Sequence, residues 1–132
     1  MSNRPAVGSV VLLTLSSGRY AFGRVLRDGS IGIYRATADD PKDVPTADSP
    51  YRFVVGIYDP DLGTLPVVAY VPFATERDSW PPPSVIRDAI SGQSELYEFG
   101  MIRPLPAGMD PADHEPAAAW SLEDILKRIE AL

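Results

Sequence analysis

Residues 18–29, GRYAFGRVLRDG, carry the pattern on which the fold turns. Ser16, Ser17 and Gly18 supply a short turn with a residue able to take positive φ. Tyr20, Phe22, Arg24 and Leu26 then alternate with Arg19, Ala21, Gly23 and Val25, the two-residue period of a strand. Asp28-Gly29 ends the stretch with a dipeptide strongly favoured in two-residue hairpin turns. Upstream, SVVLLTL is a nearly continuous apolar run rich in β-branched residues, which predicts a central strand over Val10–Leu15 covered on both faces. Downstream, Ile31, Ile33 and Tyr34 predict a third strand, so the segment reads as a meander.

Proline partitions the rest of the chain. The 14 prolines are about twice the frequency expected from a usage of roughly 5%, and proline is excluded from central strands and helix interiors. Residues 6–40, 84–103 and 117–132 are free of it, whereas Pro41, Pro45 and Pro50 punctuate an acidic loop over 37–50. After that loop, YRFVVGIY predicts a fourth strand, and PDLG at 60–63 predicts a turn into LPVVAYV as the fifth, a second hairpin. SVIRDA, SELYEF and MIRPL read as extended, with turns at Gly92 and Gly100.

Near the end of the chain, Ser121 is a helix N-cap followed by Glu123 and Asp124 at the positive end of the dipole. Leu122, Ile125, Leu126, Ile129 and Leu132 recur on one face, predicting an amphipathic helix over 122–131 packed on the sheet. Gly23 inside an apolar strand indicates a bend, a bulge or a close approach. The expected architecture is α+β: a strongly curled, mainly antiparallel, small-barrel-like sheet with the C-terminal helix packed on it, a flatter sheet with the same helix being the alternative.

A length of 132 residues suits one domain spanning 1–132. The absence of cysteine excludes disulfides and thiolate chemistry and suits the cytoplasm. The longest apolar stretch, Val10–Leu13, predicts neither an export signal nor a membrane helix. A net charge of −6 argues against a nucleic-acid partner. The charge is uneven: residues 1–37 carry five arginines against one aspartate, and residues 38–132 carry seven basic and seventeen acidic groups. Such an acidic face attracts a basic partner, and also serves solubility.

Catalytic patterns are weak. His114, the only histidine, lies in DPADHEP, where Asp110, Asp113, His114 and Glu115 lack calcium-loop or zinc spacing and read as a solvated linker. The carboxylate pairs Asp59/Asp61 and Glu95/Glu98 are close only in sequence, and no phosphate-binding glycine motif occurs. These patterns predict no cofactor, no metal and no enzyme, an acid–base pair with His114 being the catalytic alternative. Trp80, directly before Pro81–Pro83, reads either as an exposed binding anchor or as an indole packed on proline rings, and Trp120 as core beside the helix.

The segment GSVVLLTLSSGRYAFGRVLRDGSIGIY, residues 8–34, resembles the opening of the immunity protein 26 family of bacterial polymorphic toxin systems, carried by Gly8, Gly18, Tyr20, Gly23, Arg24 and Val25. The likeness continues through YRFVVGIY, LPVVAYVPF, WPPPSVI and ELYEFG, while Ser9 stands where the family has an acidic residue. The resemblance implies a cytoplasmic antidote that binds a cognate toxin domain and blocks it, with no catalytic residues. Its motif residues read as architectural, Arg24 pairing with a carboxylate inside the fold. The expected contact set is Asp39, Asp40, Asp43 and Asp48, then Tyr58, Asp59, Asp61 and Trp80, with charge speeding encounter and aromatics holding the complex. A general peptide- or protein-binding module without a toxin is the competing expectation.

Overall fold

A computed structural model describes residues 4–87 and 90–131, so Asp88, Ala89 and Leu132, each part of a predicted element, lie outside the described residues. The predicted meander is present as β1 (Ser9–Thr14), β2 (Tyr20–Val25) and β3 (Ser30–Tyr34), continued by β4 (Tyr51–Ile57). All four pair antiparallel with their chain neighbours. Arg27–Ser30 forms the turn between β2 and β3, with Asp28 and Gly29 both at positive φ, as the dipeptide predicts.

Beyond β4 the predicted hairpin is replaced by a crossover. PDLG is part of a four-residue helical turn, α1 (Asp59–Leu62), and β5 (Val67–Tyr70) pairs with β1 at the opposite side of the sheet. The larger sheet therefore has the order β10-β4-β3-β2-β1-β5, where β10 is Ala119–Trp120 running parallel to β4. A smaller sheet holds β6 (Ser84–Arg87), β7 (Ser94–Glu98), β8 (Met101–Pro104) and β9 (Glu115–Pro116) in the order β8-β7-β6-β9. Neither sheet is closed: β10 and β5 are separate edges of the larger one, so the small-barrel-like expectation is corrected to two open sheets. Gly23 serves close approach instead of curl. A Cβ there would lie 2.8 Å from Cγ1 of Ile31 on the neighbouring strand.

Alternation along the strands sends side chains to both faces. Val11, Leu13, Ala21, Ile31, Ile33, Phe53 and Val55 build the main core under α2 (Leu122–Glu130), which contributes Ile125 and Ile129. The opposite face buries Val10, Phe22 and Tyr34 beneath Ala38 and Val44 of the acidic loop, which Tyr20 and Ala38 clip to β2 by reciprocal backbone hydrogen bonds. Ala38 and Val44 are half-buried there, so their contact with this cluster adds to those hydrogen bonds in holding the loop against the sheet.

Arg24 projects into that second face and is only 5% exposed. The expected carboxylate partner is not what it meets. Its guanidinium donates to the carbonyls of Val71 (2.6 and 3.0 Å) and Pro72 (2.8 Å), and lies 3.6 Å above the Phe73 ring. The cation thereby fastens the strand exit after β5 to the middle of the sheet.

Tyr34 is buried on the same face, and its hydroxyl finds no hydrogen-bond partner among the described residues. Burial, reinforced by Tyr51 and opposed by Arg24, pushes its pKa from 10.0 up to about 12. The folded state thus holds this proton above pH 10 while the unfolded state releases it. Stability falls as pH rises from 10 towards 12, by at most about 1.4 kcal/mol per unit. Urea unfolding at pH 9 and pH 11 should show a smaller alkaline loss in Tyr34→Phe than in the parent. The same variant should be no less stable at neutral pH, because it removes an unsatisfied buried hydroxyl.

Candidate functional site: the inter-sheet cleft and the aromatic pocket beside it

The two sheets meet along a cleft of about 730 Å³. One wall is β4 of the larger sheet, and the other is β6 and β7 with Ile102 of β8. The floor is a connector, residues 115–120, that is an edge strand of both sheets: Glu115 and Pro116 pair with Ser84 and Val85, and Ala119 and Trp120 with Gly56 and Ile57. Gly56 is required for this passage, since a Cβ there would sit 2.9 Å from the Ala118 carbonyl oxygen.

The tip of the β2–β3 hairpin docks at the far side of the cleft. Arg27 donates from its backbone N–H to the Ser79 carbonyl and from Nε to Ser79 Oγ, both at 2.8 Å, and the Tyr97 hydroxyl donates to Asp28. From the other side, Arg128 of α2 makes a two-point ion pair with Glu115 and lies 4.1 Å above Phe53 and 5.1 Å from the Trp120 ring centre. These polar groups are engaged with one another, and their arrangement fixes the walls.

The backbone of β4 adds a distinct feature. The Ile57 N–H bonds to Gly29, so residues 53, 55 and 57 aim their amides at β3, and Val54 and Gly56 aim theirs at the opposite edge. The two-residue β10 stands beside Gly56 and Ile57, so among the described residues no strand pairs with Val54 on that side, at the cleft.

Pro81–Pro83 separate the cleft from a second pocket of about 310 Å³, lined by Tyr51, Trp80, Phe99, Asp78, Glu98 and Arg77 among others. Trp80 is half-buried, meets Phe99 edge-on at 6.1 Å and has Arg27 over its ring at 5.7 Å, so the neighbours its indole meets are an aromatic ring and a cation. Burial raises the Tyr51 pKa; Arg24 lowers it and the Asp78 charge raises it, which places that carboxylate's field on the pocket. Phe99 and Gly100 form the β7–β8 turn, and both have positive φ, 53° and 76°. Such a turn favours Asn, Asp or Gly at its first central position, and a bulky aromatic there is held against its own preference.

The expected contact residues are dispersed. Asp39 is exposed and pairs with Arg19 at 3.0 Å; Asp40 accepts from the Lys42 N–H at 2.8 Å, and Asp43 and Asp48 are exposed in the same loop. Tyr58 and Asp59 are exposed at the end of β4, Asp59 lying 3.7 Å from Arg4. Asp61 accepts from the Leu122 N–H at 2.8 Å and so caps α2 together with Ser121, which accepts from Asp124. Asp61→Ala should cost about 1 kcal/mol in thermal or urea unfolding, and Asp61→Asn, which keeps an acceptor, should recover most of it.

His114, Asp113 and Glu115 line the cleft, and among the described residues no group of three or more acids and histidines is placed to hold a metal ion. Sequence reasoning missed Phe99, Tyr97, Asp28 and Arg128 as site residues; for Phe99 a signal existed in the Phe-Gly dipeptide between two extended runs. No helix among the described residues is long and apolar enough to cross a membrane. No family model, no curated protein and no solved structure matches this chain.

Proposed function

We propose that the protein is an immunity protein that binds a cognate bacterial toxin domain and neutralises it by stoichiometric occupation of the toxin's surface. The observation that carries this reading is the β7–β8 hairpin, where Phe99, Met101 and Ile102 are 39%, 65% and 57% exposed within four residues, beside the cleft and the aromatic pocket. Large apolar side chains massed at an edge strand are costly in water and are characteristic of partner surfaces. The resemblance of residues 8–34 to the immunity family supplies the kind of partner, and the net charge of −6 favours a basic one. The acid set Asp39, Asp40, Asp43 and Asp48 contributes to encounter in this scheme, while the hairpin and Trp80 contribute to holding the complex.

Co-expression with the product of the adjacent upstream gene tests the proposal. Restored growth and co-elution as one complex are expected; growth arrest with separate elution would overturn it. The open edge at Val54 favours a second reading, a module that adds an extended peptide strand within the cleft. Protection of the Val54 amide from exchange by an unrelated extended peptide would support that one.

A further inference from the structure

Phe99 is the residue in this molecule that most clearly breaks a local rule. At the β2–β3 connection, a three-residue loop over Arg27–Gly29, the chain places Asp-Gly where two successive residues take positive φ, and it places Phe-Gly here. Strain of this kind persists where the surroundings impose it, and it concentrates at functional positions. What it achieves is visible: the Phe99 ring stands at the hairpin tip, partly in solvent, at right angles to Trp80, and completes the pocket with Tyr51.

Electron-rich ring faces next to carboxylates attract planar cations. The protein's own side chains demonstrate this, since Arg27 lies 5.7 Å over Trp80 and Arg77 lies 5.6 Å over Phe99. Asp78 and Glu98 line the same pocket; Arg103 pairs with Glu98 at 2.8 Å, and Asp78 is exposed. Arg77 is itself exposed, so an incoming guanidinium can displace it from the Phe99 face, which two mutually repelling cations would not share.

We infer that the Trp80–Phe99 pocket is the receptor for an arginine side chain presented by the partner, the guanidinium lying on the rings with Asp78 and Glu98 beside it. This rests on the proposed protein-binding function and specifies its chemistry: the toxin surface that seats here is basic and offers an arginine. Phe99 is held in a left-handed conformation because any residue that relaxed the turn would remove the ring from the pocket.

The test is a titration of the full chain with the blocked tripeptide Ac-Gly-Arg-Gly-NH2, followed by the shifts of the Trp80 indole N–H and the Gly100 amide, with the citrulline and norleucine tripeptides as neutral controls. Expected are saturable shifts with the arginine peptide alone, weakened by added salt. Equal responses to arginine and citrulline, or none to either, would overturn the inference. Phe99→Asn should melt at or above the parent temperature, because asparagine suits the turn, and should lose the arginine response while weakening the toxin complex by about tenfold or more.

Should Phe99→Asn not fold, the double variant Asp78→Asn, Glu98→Gln gives the same reading through loss of the arginine response; a retained response would count against the pocket. The two levels fail separately. Arginine-dependent shifts without toxin neutralisation would leave the pocket standing and remove the toxin. Neutralisation unchanged in Phe99→Asn, with no arginine shifts, would remove the pocket and leave the toxin.

Discussion

An Arg24→Ala chain should lose about 3 kcal/mol or more of stability in urea or thermal unfolding. Three hydrogen bonds from a cation disappear at once, and the carbonyls of half-buried Val71 and exposed Pro72 lose the donor that ties them to the sheet. Hydrogen bonds to charged groups contribute about 1.5–3 kcal/mol each, although bonds sharing one side chain do not add in full. The stack on Phe73 is lost as well. Arg24→Lys should fall between parent and alanine, since an ammonium keeps the charge and gives up the planar fork that reaches two successive carbonyls. Hydrogen exchange should localise the damage to β5 and its exit, and a loss below about 1 kcal/mol would show that the carbonyls find other donors.

Gly56→Val is the second large effect. The atoms that a side chain at Gly56 meets are backbone: the Ala118 carbonyl oxygen at 2.9 Å and the Ala119 Cα at 3.3 Å. A flexible side chain could swing away, whereas these atoms are fixed by pairing with β4 and by the Ala117 N–H bond to Val85. Overpacking costs typically about 1–3 kcal/mol, and displacing the connector adds the pairing of both sheets, so a loss of about 3 kcal/mol is expected. The amide of Tyr58, which bonds to Trp120 at 3.2 Å, should exchange faster than in the parent by more than the global change explains. Unchanged exchange there would mean that the valine is accommodated without moving the connector.

Local signals in the chain were sufficient wherever neighbours in sequence are neighbours in space. The β1–β3 meander follows from alternation and Asp28-Gly29, and α2 follows from Ser121 and its apolar stripe. PDLG failed as a hairpin turn because a proline–aspartate pair equally starts a helical turn, and because β1 offered LPVVAYV a free edge that no local pattern records. Gly23 misled towards a barrel, since a glycine needed for a neighbouring isoleucine leaves the same trace as one needed for a bend.

The candidate site was less legible for the same reason. Asp28 meets Tyr97 across 69 positions, and Arg128 meets Glu115 only because the connector turns beneath α2. Trp80 stood out by its prolines, whereas its partner Phe99 ends SELYEF directly before the turn glycine, a dipeptide that marks a turn but does not link it to Trp80.

The connector sets a gauge for the molecule. Pro116 is stitched to one sheet and Ala119 to the other, with two alanines between them, and three peptide steps span at most about 10–11 Å. The strap therefore sets an upper limit on how far the two sheets can part along the floor of the cleft, and lengthening it by one inserted residue would be the simplest way to let them stand further apart.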